Sequence, residues 1–326
     1  MNTSKSEIQN IEPKFSKDLI SFGYISTWMG LLLLRIIILL PHQFLMQLGN
    51  MLGRFIYIVS PHRREICRTN IKRCLALQSD ALEKMVRSNF EAIGRGIFEM
   101  ALAWWSSDEN IASLETRIKN EEILKNSNEG TLILIKHSTH LELDLRLLAN
   151  FFDLTGMFKT QTNRVINHVM IRSRNNYIKA SLTNKEAIKA LRWIREGKNF
   201  IYAADQDYGS NVSLMIPFFS HEAATVTLPA LLSKKGTKII MIDVSKIDGA
   251  YEIELKELKN SDNNEEFLTS MNLSYEEFIK KEPEGYLWTH RRYKSNDKEQ
   301  IYPKWSSRDK RRAKRRLKRE SKQGTN

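Results

Sequence analysis

Three short runs of apolar residues constrain this chain more than any other feature: TLILI at 131–135, NFIYAA at 199–204 and KIIMID at 238–243. Each carries β-branched side chains and lacks the polar alternation of a half-exposed strand. Each therefore reads as a strand buried on both faces. Such strands need layers above and below them, and helical patterns over 143–152, 185–196, 227–235 and 274–281 supply them. Strands alternating with helices predict an α/β fold with a mostly parallel central sheet flanked by helices. Tyr251 to Leu255 alternates more and is expected at a sheet edge. Sheets of this kind gather their chemistry at the carboxyl ends of strands. The polar residues directly after each run are thus the first candidates for function.

Before residue 130 the texture is helical, with spaced apolar residues over 68–75 and 82–105. Gly94 and Gly96 there would admit another element, or an acyl chain, close to the helix. Residues 24–40 form an apolar stretch of about 17 residues, the short end of what spans a bilayer. Tyr24 and Trp28 suit a membrane interface, whereas Arg35 must snorkel or face protein. A monotopic or barely spanning anchor is the expectation, and a buried core helix is the competing reading. Residues 45–59 continue as an amphipathic stretch, followed by the basic flank of His62, Arg63, Arg64, Arg68, Lys72 and Arg73. A positive flank places the chain beyond the anchor in the cytoplasm. The preceding residues mix acids and bases and no small-residue cleavage site succeeds the apolar stretch, so a removable signal peptide is not expected. The expected organisation is an N-terminal cytoplasmic segment (1–22), a membrane anchor with its amphipathic segment (23–60), a catalytic domain (61–303) and a disordered basic tail (304–326).

The 51 Lys and Arg against 38 Asp and Glu leave a net charge of +13, which favours anionic partners. Ten Lys or Arg and two acids, net +8, fall between Arg308 and Lys322. That block suits a solvated tail, and equally one held on acidic phospholipid headgroups. No recognisable nucleic-acid-binding signature accompanies it, so nucleic acid is not an expected partner. Cys67 and Cys74, seven apart in a predicted helix, sit about 10 Å apart by helical rise, too far for a disulfide. Their spacing matches no metal site either, and a reducing compartment fits.

The first run ends in KHSTHLELD at 136–144. His137 and Glu142 are five apart, about 140° around a helix, so they can meet only across a loop and the first turn of a helix. In that geometry a carboxylate would orient the imidazole and leave its other nitrogen to take a proton from an attacking hydroxyl. His140 and Asp144, at i,i+4, form a competing pair whose simpler role is a hydrogen bond at a helix start. A metal on His137 and His140 lacks a third ligand, so no metal and no cofactor are expected. After the second run comes DQDYG at 205–209; two carboxylates invite a Mg²⁺ reading, yet no phosphate-binding glycine loop accompanies them. Asp207 has the alternative of an arginine partner. Residues 217–219 and 223–227 read as a loop leading into a helix, and YLWTHRRY at 286–293 as a surface cation–π stack or a phosphate clamp.

In this order and at these distances, the His-x4-acid motif, DQDYG, the AAT segment at 223–225 and YLWTHRRYK resemble the late acyltransferases of lipid A biosynthesis, over about residues 24–302. The basic stretch 63–74 looks like that family's basic helix as well. The resemblance implies a glycerolipid-acyltransferase-like fold. It also implies His137 and Glu142 as the catalytic dyad, with Arg174 (or Arg172, two residues away), Asp205, Asp207, Arg291 and Arg292 on the substrate. It further implies acyl carrier protein as donor, a 3-hydroxyacyl group of a lipid A precursor as acceptor, and a place on anionic inner-membrane lipids at the cytoplasmic face. Glu rather than Asp in the dyad looks like the lauroyl-type enzymes. His140 within the motif and the long basic tail depart from the family pattern. A glycerolipid acyltransferase making phosphatidic acid is the nearest rival; that group usually shows Asn before the histidine and Asp after it, where Lys136 and Glu142 stand here.

Overall fold

The computed structural model describes residues 11, 13, 15–125, 130–183, 186–296 and 301–303. The expected basic tail, most of the first 14 residues and Lys185, where one helical pattern begins, lie outside them. Helices α1 (Ile25–Ile37), α2 (His42–Val59), α3 (Pro61–Leu75), α4 (Ser79–Trp105) and α5 (Asp108–Ala112) come first. Strands and helices then alternate through β1 (Thr116–Lys119), α6 (Glu122–Lys125), β2 (Thr131–Ile135), α7 (Leu141–Leu148), β3 (Leu154–Phe158), α8 (Arg164–Arg174), β4 (Ala180–Thr183), α9 (Ala187–Arg195) and β5 (Asn199–Ala203). The chain continues through a hairpin of β6 (Ser213–Phe218) and β7 (His221–Val226), then α10 (Leu228–Ser233), β8 (Lys238–Ile247), β9 (Ala250–Leu258) and α11 (Asn264–Lys281).

Seven strands form one sheet in the order β1-β9-β8-β2-β5-β3-β4, in which only the β8–β9 pair is antiparallel. The expectation of a mostly parallel α/β sheet holds. The apolar runs occupy its centre because successive side chains feed opposite cores. Leu132, Leu134, Ile239 and Met241 enter the layer with α3, α4, α9, α10 and α11, while Ile133, Ile135, Ile240 and Ile242 enter the layer with α1, α7 and α8. Two expectations are corrected. Tyr251 to Leu255 lies in β9, one strand in from the edge; the edge is β1, from a stretch that reads as helical. The pair β6–β7 replaces the loop expected at 217–227, the chain reversing through Phe219 and Ser220 at positive φ.

The 23–60 segment also differs from a spanning anchor. It breaks at Pro41 into α1 and α2, and no helix among the described residues is long and apolar enough to cross a membrane. Each helix turns one side to the body: Leu31 of α1 and Leu45, Gly49 and Gly53 of α2 are buried. The other side leaves Leu32, Leu33, Ile36, Phe44, Phe55 and Ile58 more than half exposed.

Glycines set how closely α2 meets α4. A Cβ on Gly94 would lie 2.0 Å from the carbonyl oxygen of Gly49, and one on Gly53 would lie 2.2 Å from that of Phe90. A Cβ on Gly96 would fall 2.0 Å from the Thr139 carbonyl oxygen, in the loop after β2. Two positions on a helix are roughly 200° apart, so Gly94 and Gly96 serve opposite faces of α4. Gly94→Ala is expected to lower stability by about 3 kcal/mol, the upper end of the usual overpacking cost, because backbone rather than a flexible side chain must give way. Chemical denaturation measures it; an unchanged midpoint would show that the helices separate freely.

Candidate active site

Strands β2 and β5 are parallel neighbours, with Ile135 in register with Ala203. Two residues beyond each partner stand His137 and Asp205. Register therefore brings them together at the carboxyl edge of the sheet, where such folds place reacting groups. The Asp205 carboxylate accepts from the backbone N–H of His137 at 2.8 Å and lies 2.5 Å from its Nδ1. Asp205 is fully buried; burial opposes its ionisation, but the charge of His137 and its two hydrogen bonds outweigh that and hold the carboxyl below its ordinary value. His137 keeps some exposure, and its Nε2 makes no hydrogen bond among the described residues. Tyr275 ties the two strand ends together: its hydroxyl donates to the Ile135 carbonyl and accepts from Ala204 N–H.

The carboxylate expected to orient His137 was Glu142, and here the structure differs. Glu142, in the first turn of α7, is gripped by Arg174 through Nε (3.1 Å) and Nη2, and by Trp104 Nε1 at 3.0 Å. Helix geometry turns Glu142 toward α4 and α8, while the register of β5 puts Asp205 under the imidazole. Of the two candidate arginines, Arg174 pairs with Glu142 and stacks 3.9 Å from the Phe158 ring centroid, whereas Arg172 lines a cavity beside α1.

Asp207 is also buried, but as a loop closure rather than an arginine partner. It accepts from the backbone N–H of Gly209 and from the backbone and hydroxyl of Ser295, with Lys294 Nζ 3.7 Å away. Gly209, at φ +98°, completes that turn in a conformation that favours glycine.

The cation–π reading of the motif at 286–293 holds, but inside the protein rather than on its surface: Arg292 lies 4.7 Å from the Phe218 ring centroid and Arg291 5.7 Å from that of Tyr302. Trp288 and Tyr293 are buried, and Arg292, only 3% exposed, donates to the Ala224 carbonyl and the Thr225 hydroxyl of the β6–β7 hairpin. Arg291 donates to the Pro303 carbonyl and meets His62. Neither arginine therefore reaches the His137 edge as a substrate ligand. Instead, residues 284–290 form a strap over the loop after β2. Thr139 N–H donates to Gly285, Leu287 N–H donates to His137, and Ser138 bridges Tyr286. Asn89 and Asn70 hold the strap from α4 and α3 through its carbonyls. Within it, burial, then the charges of Lys294 and His137, lowers His290 to about 4, so it stays neutral beside the site. Asn70, Asn89, Trp104 and Tyr275 carry no sequence signal of these roles, since each acts across a fold contact.

His140 bonds Asp144 through Nδ1 at 2.6 Å, the helix-start role expected of the pair. Its Nε2 lies 3.3 Å from Glu282. Burial alone would discharge this imidazole, but Asp144 and Glu282 raise it to about 10. Lys136, also buried, is ion-paired to Asp243 and donates to the Val244 carbonyl. No cluster of His, Cys, Asp and Glu among the described residues could hold a metal.

Residues 12–295 match the family model described as bacterial lipid A biosynthesis acyltransferase. The lipid A biosynthesis lauroyltransferase of Escherichia coli K12 is 30% identical over 293 residues, 87% of this chain and 96% of its own length. The palmitoleoyltransferase of the same organism is 26% identical, over 86% and 95%. Among solved structures, the 1-acyl-sn-glycerophosphate acyltransferase of Thermotoga maritima aligns with a TM-score of 0.31 and 15% identity, covering 72% of this chain and 94% of that one. The chain belongs to the bacterial lipid A biosynthesis acyltransferase family. It is accordingly an acyltransferase.

The buried His140 gives a pH test of the site's foundation. Its proton is held more tightly folded than unfolded. The stability it supplies is therefore complete below its ordinary value of 6.5 and is lost as pH rises toward about 10. The melting temperature of His140→Gln should lie below the parent's at pH 6.5 and converge on it by about pH 10. Parallel curves in thermal denaturation would show that His140 is not held charged.

Proposed function

We propose that this enzyme transfers a fatty acyl chain, laurate or one of similar length, from acyl carrier protein to a 3-hydroxyacyl group of a lipid A precursor. The observation that carries the reading is His137, with Nδ1 on the buried Asp205 and Nε2 without a protein partner among the described residues. Asp205 fixes the tautomer and stabilises the imidazolium that forms. Nε2 takes the proton of the acceptor hydroxyl as its oxygen attacks the thioester carbonyl. The carbon–sulfur bond then breaks, and the same nitrogen returns the proton to the departing thiolate. The substrate supplies the nucleophile, so no enzyme serine or cysteine takes part. Glu142 and Arg174 act as a fixed pair that shapes the wall beside the histidine, and Asp207 acts by closing the loop that carries Asp205.

The location is argued from the outward apolar side of α1 and α2, which is large for a protein surface. It seats the enzyme on the anionic lipids of the inner membrane, lying on the bilayer rather than crossing it, with the catalytic domain at the cytoplasmic face. The +13 net charge suits an acidic carrier protein and an anionic saccharolipid alike. The family match over residues 12–295 favours this reading over a glycerolipid acyltransferase, and Lys136 occupies the place where that group usually carries Asn.

Acyl transfer by purified membranes, read by mass spectrometry of lipid A, tests the proposal. His137→Ala and Asp205→Asn should each reduce addition of the acyl chain by roughly 10²–10⁴-fold. Glu142→Gln should reduce it less, because Arg174 and Trp104 can still donate to the amide oxygen. Undiminished transfer by His137→Ala would sink the mechanism, and a Glu142→Gln defect as deep as that of Asp205→Asn would return Glu142 to the imidazole.

A further inference from the structure

A cavity of about 500 Å³ lies between α1, the end of α4 and α8. Its size is within the range of sites that enclose small organic ligands. Trp28, Leu32, Trp104 and Val169 give it apolar walls, and Arg35 and Arg172 stand at its rim. Among the described residues neither arginine makes an ion pair, and no Asp or Glu lines the cavity. His168, only 8% exposed and packed edge-on against Phe15, contributes a buried Nδ1 that has no hydrogen-bond partner among the described residues. Buried polar nitrogens in folded proteins are normally satisfied, and this one belongs to a residue that lines the cavity. Leu32 lines the cavity and is itself 60% exposed, so the wall runs out onto the apolar face of α1. At the inner end Trp104 is shared with the site, donating its indole N–H to Glu142.

Two cations at the rim with no ion-pair partner among the described residues disfavour a purely hydrocarbon occupant, and tryptophan and leucine walls are poor company for a small hydrated anion. An amphiphile satisfies both. We propose that this cavity binds an anionic lipid, its charged head on Arg35 and Arg172, its acyl chain along Trp28, Trp104 and Leu32, and a polar atom near its head on His168 Nδ1. The position beside Glu142 rests on the acyltransferase reading above; the presence of an amphiphile site does not. Two sources share this chemistry: the phosphate-bearing acceptor itself and a phospholipid of the surrounding bilayer.

The test uses the full-length protein with Arg35→Gln/Arg172→Gln, Val169→Trp, which fills the cavity and keeps its charge, and Lys234→Gln/Lys235→Gln, which removes the same charge at the exposed end of α10. In neutral detergent micelles containing only acceptor and acyl donor, an acceptor in the cavity predicts a KM for acceptor raised about tenfold in both cavity variants. That is the loss expected of two solvent-facing charge contacts, and kcat, the donor KM and the lysine control should stay put. A bilayer phospholipid in the cavity predicts unchanged kinetics in micelles. In that case the preference for phosphatidylglycerol over phosphatidylcholine vesicles falls severalfold in both cavity variants and not in the lysine control. If neither quantity moves, or the lysine control moves as far, the proposal is overturned. Failure of the wild-type enzyme to transfer any acyl chain would overturn the functional reading instead, and the vesicle arm would still decide the cavity's ligand.

Discussion

The register between β2 and β5 is the constraint on which the rest of the site depends. Because Ile135 faces Ala203, the two residues that follow each strand end at equal height, and an imidazole meets a carboxylate without any loop having to search for it. A slip of one residue in either strand would turn that strand's side chain to the opposite face of the sheet from its partner. Much of what surrounds the pair resists such a slip. Tyr275 joins the two strand ends, the strap from 284 to 290 pins the loop after β2, and asparagines on α3 and α4 hold the strap. The YLWTHRRY motif belongs to this scaffold. Its arginines are turned into the protein, where their many donors satisfy carbonyls that would otherwise be buried without partners.

Beneath the site the sheet edge is built on buried charge. Lys136 with Asp243, His140 with Asp144 and Glu282, and Lys246 with Glu99 form three groups of paired charge, and Glu282 joins two of them by also accepting from the Lys246 backbone N–H. Removing one member of such a pair leaves an uncompensated charge in a poor solvent for it, which is far costlier than losing an exposed pair. The consequence is a floor that tolerates few alternative arrangements, beneath a histidine that needs one orientation.

How much of this was legible in the sequence depended on whether a signal was local. The central strands were, since TLILI and KIIMID lie buried on both faces and feed two cores. The short strands β3 and β4, with mixed composition, and β1, inside an apparently helical stretch, were not. His137 was legible as a polar residue directly after an apolar run. Its partner was not: proximity in sequence points to Glu142, whereas the fold pairs residues near in register, 68 positions apart. The same limit applies to Arg292: the sequence shows a cation in an aromatic cluster, and only the hairpin it binds explains why it is buried. The pair His140–Asp144, one turn apart, needed no tertiary knowledge and was read as it stands.

Helix α4 touches both the apolar helix α2 and the loop after β2 at backbone distance, through Gly94 on one side and Gly96 on the other. With no side chain as a cushion at either contact, backbone alone sets the distance between the apolar surface of α2 and the loop that carries His137. In the proposed seating, the height of the histidine above the bilayer is therefore a property of the protein's thickness and not of a tether. An acceptor anchored in that bilayer has to lift its hydroxyl to a fixed elevation, and lipids whose reactive group sits too deep or too shallow are refused by geometry before any contact with their headgroup is made.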